Sequence, residues 1–320
     1  MPPAAPASDA ATASVTEQAR RFMLAALDDA LVCLATPAPA SDEVVHRLRK
    51  ALKRARAALR LLRPLIAPRA RETAVLALRD VARAYATARD GASLVEALNR
   101  FARHHPGILV ARAGSTLGGA LRAGRLHARR SLPDATRTAA ALRMLRALRS
   151  RVAHWKLDTV SRGEDPASPS ADRIAQALRK IYRRARRAGR RAGNGATEAL
   201  HAWRKEVKVL HNALLALEST AGAPGPAQLP KHSARLGEIL GCEHDLAMLE
   251  IAIGALGRAP SASETRLILV QINRDRQRYR GRALREGERV FHIRPRRLAH
   301  ELGISRADSA SEEKTRPLRA

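Results

Sequence analysis

Val45-His46-Arg47-Leu48-Arg49-Lys50-Ala51-Leu52-Lys53 and Leu200-His201-Ala202-Trp203-Arg204-Lys205-Glu206-Val207-Lys208 carry one pattern, apolar-His-x-apolar-Arg-Lys-x-apolar-Lys, at an offset of 155 residues. The register continues beyond the motif: Leu59 aligns with Leu214, and Ala88-Arg89-Asp90 with Glu243-His244-Asp245. Two separated matches in one register, with no net insertion between them, argue for a duplicated unit. At about 100° per residue, positions 45, 48, 52, 55 and 59 form one apolar helical stripe. Positions 46, 49, 50, 53 and 56 form another, roughly 130° away. In the first copy this second stripe is His46, Arg49, Lys50, Lys53 and Arg56; in the second it is His201, Arg204, Lys205, Lys208 and His211.

An ordinary solvated helix face interleaves Glu with Lys and Arg for i,i+4 pairing. Neither row contains a carboxylate, and the chain has only eight lysines, four of which stand at these equivalent positions. From His46 to Lys53 the donors extend over about 10 Å of helix axis at 1.5 Å per residue. Such a row suits a chain of phosphates: arginine offers bidentate contacts, lysine a mobile point charge, and histidine a donor whose pKa a bound polyanion raises.

Outward from the motif, the chain reads as helix throughout. Ser14-Val15-Thr16-Glu17 has the form of a capping box opening a helix that Pro37 and Pro39 end near Thr36. Ser41-Asp42-Glu43 opens the motif helix, which stops before Pro64. Further helices are expected at about 70–88, in short pieces to His104, then at 108–131 and 135–160. In the second half they are expected at 171–192, 196–219, 231–241, 245–257 and 261–287. Asp90 and Asp245 read as helix N-caps or as partners of an arginine. No stretch alternates with period two, and aromatic residues are 2% of the chain, so the expected class is all-α. The domain boundaries follow: a disordered segment 1–14, a first helical-bundle repeat 15–160, a linker 161–170 rich in Ser, Gly and Pro, a second repeat 171–303 and a flexible tail 304–320.

The balance of 59 Lys+Arg against 30 Asp+Glu leaves a net charge of +29, which concentrates polyanions around the molecule. Cys33 and Cys242 have neither disulfide-framework nor metal-ligand spacing. The first apolar stretch, Phe22 to Leu34, is interrupted by Asp28 and Asp29, and no run approaches a membrane span. The expectation is a cytoplasmic protein with no membrane partner, no metal and no cofactor.

The doubled His-x-x-Arg-Lys-x-x-Lys helix, each copy followed by an element ending in Arg-Asp or His-Asp, resembles the CHAD domain, the conserved histidine α-helical domain, over about 15–303. The resemblance implies two four-helix bundles related by a pseudo-two-fold axis, with the His/Arg/Lys faces lining a basic central cavity. It also implies binding of inorganic polyphosphate and association with polyphosphate granules. The chain departs from its own first copy at Val209 and His211, which stand where the first copy has Arg54 and Arg56. A weaker or pH-sensitive second half-site is therefore expected. Secondary phosphate contacts are assigned to Arg122 and Arg125, and to Arg274 and Arg278, with Arg179 and Arg183 as weaker candidates.

Three rival readings are disfavoured. Nucleic acid is expected to bind weakly and without sequence reading, since eight aromatics make a poor stacking platform; a general polyanion or nucleic-acid binder is the alternative function. A zinc site lacks a converging ligand set. An enzyme lacks carboxylates to hold magnesium among the cations, and Gly114-Ser115-Thr116-Leu117-Gly118-Gly119 is no P-loop. The Glu-x-Glu-x-Lys signature of a triphosphate-tunnel domain is also missing. A binding protein without catalytic residues is the outcome.

Overall fold

The Ser41 hydroxyl accepts a hydrogen bond from the Val44 amide at 3.2 Å, satisfying a free donor where the motif helix begins. In the computed structural model that helix, α2, runs Asp42–Leu62. The structure describes residues 15–36, 40–107, 112–157, 169–217, 228–255 and 262–304. The other helices are α1 (Val15–Ala35), α3 (Pro68–Ala84), α4 (Ala86–His104), α5 (Arg112–Arg130), α6 (Ala135–Ala153), α7 (Pro169–Ala192), α8 (Thr197–Leu215), α9 (Gln228–Ala255), α10 (Ala262–Val290) and the short α11 (Leu298–Glu301). No strand occurs among the described residues, and the class is all-α. Ser14 and most of the expected linker lie outside the described residues, and Pro169 and Ser170 already belong to α7.

Both apolar stripes are buried. Val45, Leu48, Leu52, Ala55 and Leu59 of α2, and Leu200, Trp203, Val207, Leu210 and Leu214 of α8, all enter one core. That core also takes residues from α1, α3, α6, α7 and the end of α10, so helices of both expected repeats share it. The α1, α2, α3 and α6 helices pack as a ring. The hairpin of α4 and α5 instead packs on the second half: Val95, Leu98, Phe101, Leu117 and Leu121 meet Leu246, Leu249, Ile253, Ile268 and Ile272 of α9 and α10. The motif helices α2 and α8 contact each other at the middle of the molecule.

Trp203 fixes the rotation of α8. Its indole is wedged between two glycines: a Cβ on Gly189 of α7 would stand 2.9 Å from it, and one on Gly287 of α10 only 2.8 Å. These approaches leave no room for a side chain on the neighbouring helices. With Trp203 pinned inward, the His201/Arg204/Lys208 row is turned toward α2 and α9.

Several expected boundaries differ: the helix expected over 135–160 ends at Ala153, and the short pieces expected up to His104 are the single helix α4. A helix over 70–88 is instead broken at Tyr85, whose φ of −107° and ψ of 14° end α3; its buried ring places the hydroxyl 3.3 Å from Thr138 of α6. The break redirects α4 onto α9. The two helices expected at 231–241 and 245–257 are one, α9, because Gly237 and Gly241 are interior packing positions under Lys208 and Arg204. Asp90 and Asp245 consequently lie inside helices and cap nothing. Asp245 is an arginine partner, with Oδ2 2.9 Å from Arg100 Nη1 across the α4–α9 contact.

Candidate anion-binding site

The α2 row lies beside α3. Arg56 Nη2 donates to the Leu78 carbonyl at 2.8 Å and Arg49 Nη1 to the Ala82 carbonyl at 3.3 Å. Each guanidinium thus spends one donor on the backbone and holds the others in a fixed direction. They line a cavity of about 240 Å³ with Lys53, Arg79, Ala82 and Arg83. Five of those six residues are cations and none is a carboxylate. Burial, with Arg49 and Arg60 close by, depresses the pKa of Arg56. Like charges collected at this density disfavour the empty protein and favour an anionic occupant.

The α8 row meets the α2 row from the other side. Lys208 lies against Gly237, and its pKa is lowered by burial and by repulsion from Arg204 and from Lys50 of α2, while Glu238 acts the other way. His201 and His244 of α9 stand with Nδ1 atoms 3.2 Å apart and ring centroids 4.4 Å apart. Burial, Arg204, His201, Lys205 and Lys53 push the His244 pKa down to about 4. Burial, Lys205 and Arg204 lower that of His201. A contact between two imidazole nitrogens needs at least one neutral ring, and this cationic setting keeps both neutral. An ion pair joins the two helices beside the rows: Arg60 Nη1 is 3.2 Å from Glu206 Oε2. Among the described residues no group of three or more His, Cys, Asp or Glu converges as metal ligands would.

The structure therefore brings Arg49, Lys53 and Arg56 together in the cavity, and places Arg204, Lys205, Lys208 and His201 on the facing helix α8, with Lys50 of α2 close to Lys208. His46 is exposed at the open end of the α2 row. His211 is half-buried, its Nδ1 3.2 Å from Ser233 Oγ. The serine hydroxyl donates to the Pro230 carbonyl at 2.7 Å and so accepts from the imidazole. Val209 replacing Arg54 removes nothing from the site. Arg54 points to α1, with Nη1 2.7 Å from Asp29 Oδ2 and its guanidinium over the Phe22 ring at 4.9 Å.

The secondary arginines are not gathered here. Arg122 is exposed and lies over Gly118 of its own helix. Arg125 is paired with Asp42 at the start of α2, as is Arg129 at 3.3 Å. Arg274 is exposed on α10. Arg278 is 3.7 Å from Asp275 and lines a separate cavity of about 280 Å³ among α4, α9 and α10.

Arg79 and Arg83 of α3 lie outside the repeated motif, and His244 of α9, though part of the second repeated stretch, is not assigned to the site by it. One offset further on, Arg79 and Arg83 become Ala234 and Glu238, and His244 corresponds to Arg89. A reading keyed to repetition passes over positions that do not repeat. The one available signal is the i,i+4 spacing of Arg79 and Arg83 on a helix neighbouring the motif.

The sequence model of the CHAD domain family matches residues 18–253, more than half of the chain. Among solved structures, the fold is similar to the CHAD domain from the plant Ricinus communis, with a TM-score of 0.60 and 19% identity over 88% of this chain and 93% of that one. It is also similar to PptA from Streptomyces chartreusis, with a TM-score of 0.56 and 17% identity over 87% of this chain and 99% of that one. No curated protein matches the sequence.

Proposed function

The chain belongs to the CHAD domain family, and from that premise we propose that it binds inorganic polyphosphate between the α2 and α8 rows without transforming it. The observation that carries this reading is the cavity of Arg49, Lys53, Arg56, Arg79 and Arg83 between α2 and α3, a cluster of cations with no carboxylate among its lining residues. The α8 row extends it through Lys208, close to Lys50 of α2. Polyphosphate has no base to read or stack, so cations and fixed donors are all that its recognition requires. The absence of lining carboxylates also favours binding over hydrolysis, since a magnesium-dependent phosphohydrolase holds its metal with them. In this reading the protein associates with polyphosphate granules in the cytoplasm.

Reversing Lys53→Glu and Lys208→Glu together tests it. Two charge-assisted contacts are worth about 3–6 kcal/mol, on the order of 10² to 10⁴ in affinity. Polyphosphate binding, followed by fluorescence anisotropy, should be abolished with helicity retained. Unchanged affinity in this double variant removes the site assignment.

A further inference from the structure

The α7 helix carries a second cationic surface that the central site does not use. After Asp172 it contains nine Arg or Lys residues and no acid. Lys180, Arg183, Arg184, Arg187, Arg190 and Arg191 are exposed. None of the six side chains is in an ion pair or hydrogen bond among the described residues. At about 100° per residue they occupy one arc of roughly 120°, running about 16 Å along the axis at 1.5 Å per residue. The opposite face, with Ile174, Leu178, Ile181 and Tyr182, is fully committed to the core.

The repeat shows that the fold does not need this face. The positions one offset earlier on α1 are Ala25, Asp28, Asp29, Val32, Ala35 and Thr36. Asp28 is held by Arg149, with Oδ2 3.1 Å from Nη2, and Asp29 by Arg54. The equivalent surface of α1 is thus small, apolar or acidic and neutralised. Arginine abundance in the chain as a whole does not account for a row that is dense on one helix and absent from its counterpart.

We propose that the outer face of α7 docks onto the phosphate backbone of duplex nucleic acid, independently of the central cavity. Shape selects the partner. A thin flexible polyphosphate touches a convex helix on one side only and is better held in the concave central site. A duplex embraces a helix, since its major groove is about 12 Å wide and a helix with side chains is about 10–12 Å across. Cations on both flanks of a 120° arc can then reach both strands. A lipid surface fits less well, because interfacial helices insert an apolar face and that of α7 is buried in the core. The row is almost all arginine, which suits bidentate phosphate contact, and carries no pattern for reading bases.

The test measures binding of the full chain to a mixed-sequence 20-base-pair duplex across a salt series. In Arg184→Gln/Arg187→Gln/Arg190→Gln/Arg191→Gln, duplex affinity should fall at least tenfold. The slope of log affinity against log salt should become shallower by about 3 to 4, at roughly 0.9 per lost phosphate contact. Affinity for a short polyphosphate should stay within twofold. Conversely, Lys53→Glu/Lys208→Glu should lose polyphosphate and keep the duplex, which separates failure of this proposal from failure of the central-site reading. Wild-type protein saturated with short polyphosphate should still bind duplex within a few-fold, a result that requires no variant to fold. Unchanged duplex affinity and slope in the quadruple variant overturn the proposal. So does one-for-one displacement of duplex by short polyphosphate, or phosphatidylserine vesicles proving the tighter ligand of the same residues.

Discussion

Gly287→Ala should destabilise the protein, although it replaces a mid-helix glycine by the best helix former. At an unconstrained helical site this substitution gains about 0.8–1 kcal/mol. At Gly287 the new methyl would lie 2.8 Å from Trp203 Cζ2 and 3.0 Å from Cη2. Ordinary contact between carbons begins near 3.5 Å, so something must move by more than half an ångström. The indole has little room to retreat, because it also packs directly on Gly189, where a Cβ would stand 2.9 Å from it. Overpacking of this kind costs about 1–3 kcal/mol, so the net expectation is a loss of up to about 2 kcal/mol after the propensity gain. Gly254→Ala on α9 is the control, since nothing lies within 4 Å of its Cβ, and it should stabilise. Urea unfolding followed by circular dichroism compares the two midpoints. Because Trp203 sets the rotation of α8, Gly287→Ala should also weaken polyphosphate binding. A midpoint that rises in Gly287→Ala as it does in Gly254→Ala refutes the wedge and the rotation argument with it.

Three further outcomes follow from the site. The depressed imidazole pKa values mean that His201 and His244 are neutral in the folded protein at pH values where the unfolded chain would protonate them. The empty protein should therefore lose stability as pH falls from about 6.5 towards the His244 value of about 4. A bound polyanion raises both pKa values, so polyphosphate affinity should increase over the same interval with net proton uptake. Calorimetry in buffers of different ionisation enthalpy detects that uptake, and His244→Asn should reduce it. Arg79→Glu/Arg83→Glu, outside the repeated motif, should weaken polyphosphate binding by at least tenfold, as a titration of the purified variant would show. Arg54→Ala breaks the Asp29 pair and the Phe22 stack, and should lower stability by about 1 kcal/mol in urea unfolding while leaving polyphosphate affinity unchanged.

How far the sequence reveals this molecule depends on whether a feature repeats. The burial of Val45, Leu48 and Leu52 with Leu200, Trp203 and Val207 is written in a 3.6-residue period that burial itself imposes. The Ser41 cap is visible because its chemistry is local. The break at Tyr85 is not, because a tyrosine is acceptable inside a helix and only its contacts with the core and Thr138 place the turn there. The continuity of α9 through Gly241 is equally hidden, since that glycine reads as a helix end until Arg204 is found lying against it. Arg54 and Arg56 look alike on paper two residues apart. A 200° rotation sends one to Asp29 on α1 and the other into the cavity. Arg79 and Arg83 become visible only once α3 is packed beside α2.

The most direct test of the central claim is competition at physiological salt. A labelled short polyphosphate bound to the full chain is challenged with unlabelled polyphosphate, and separately with duplex DNA at equal total phosphate. The account predicts displacement by polyphosphate at low concentration and none by the duplex, because the cavity between α2 and α3, beside the α8 row, is concave and the duplex docks elsewhere. Equal displacement by both, with the same steep loss of affinity in salt, would mean that the field of +29 charges alone does the binding and that the cavity selects nothing.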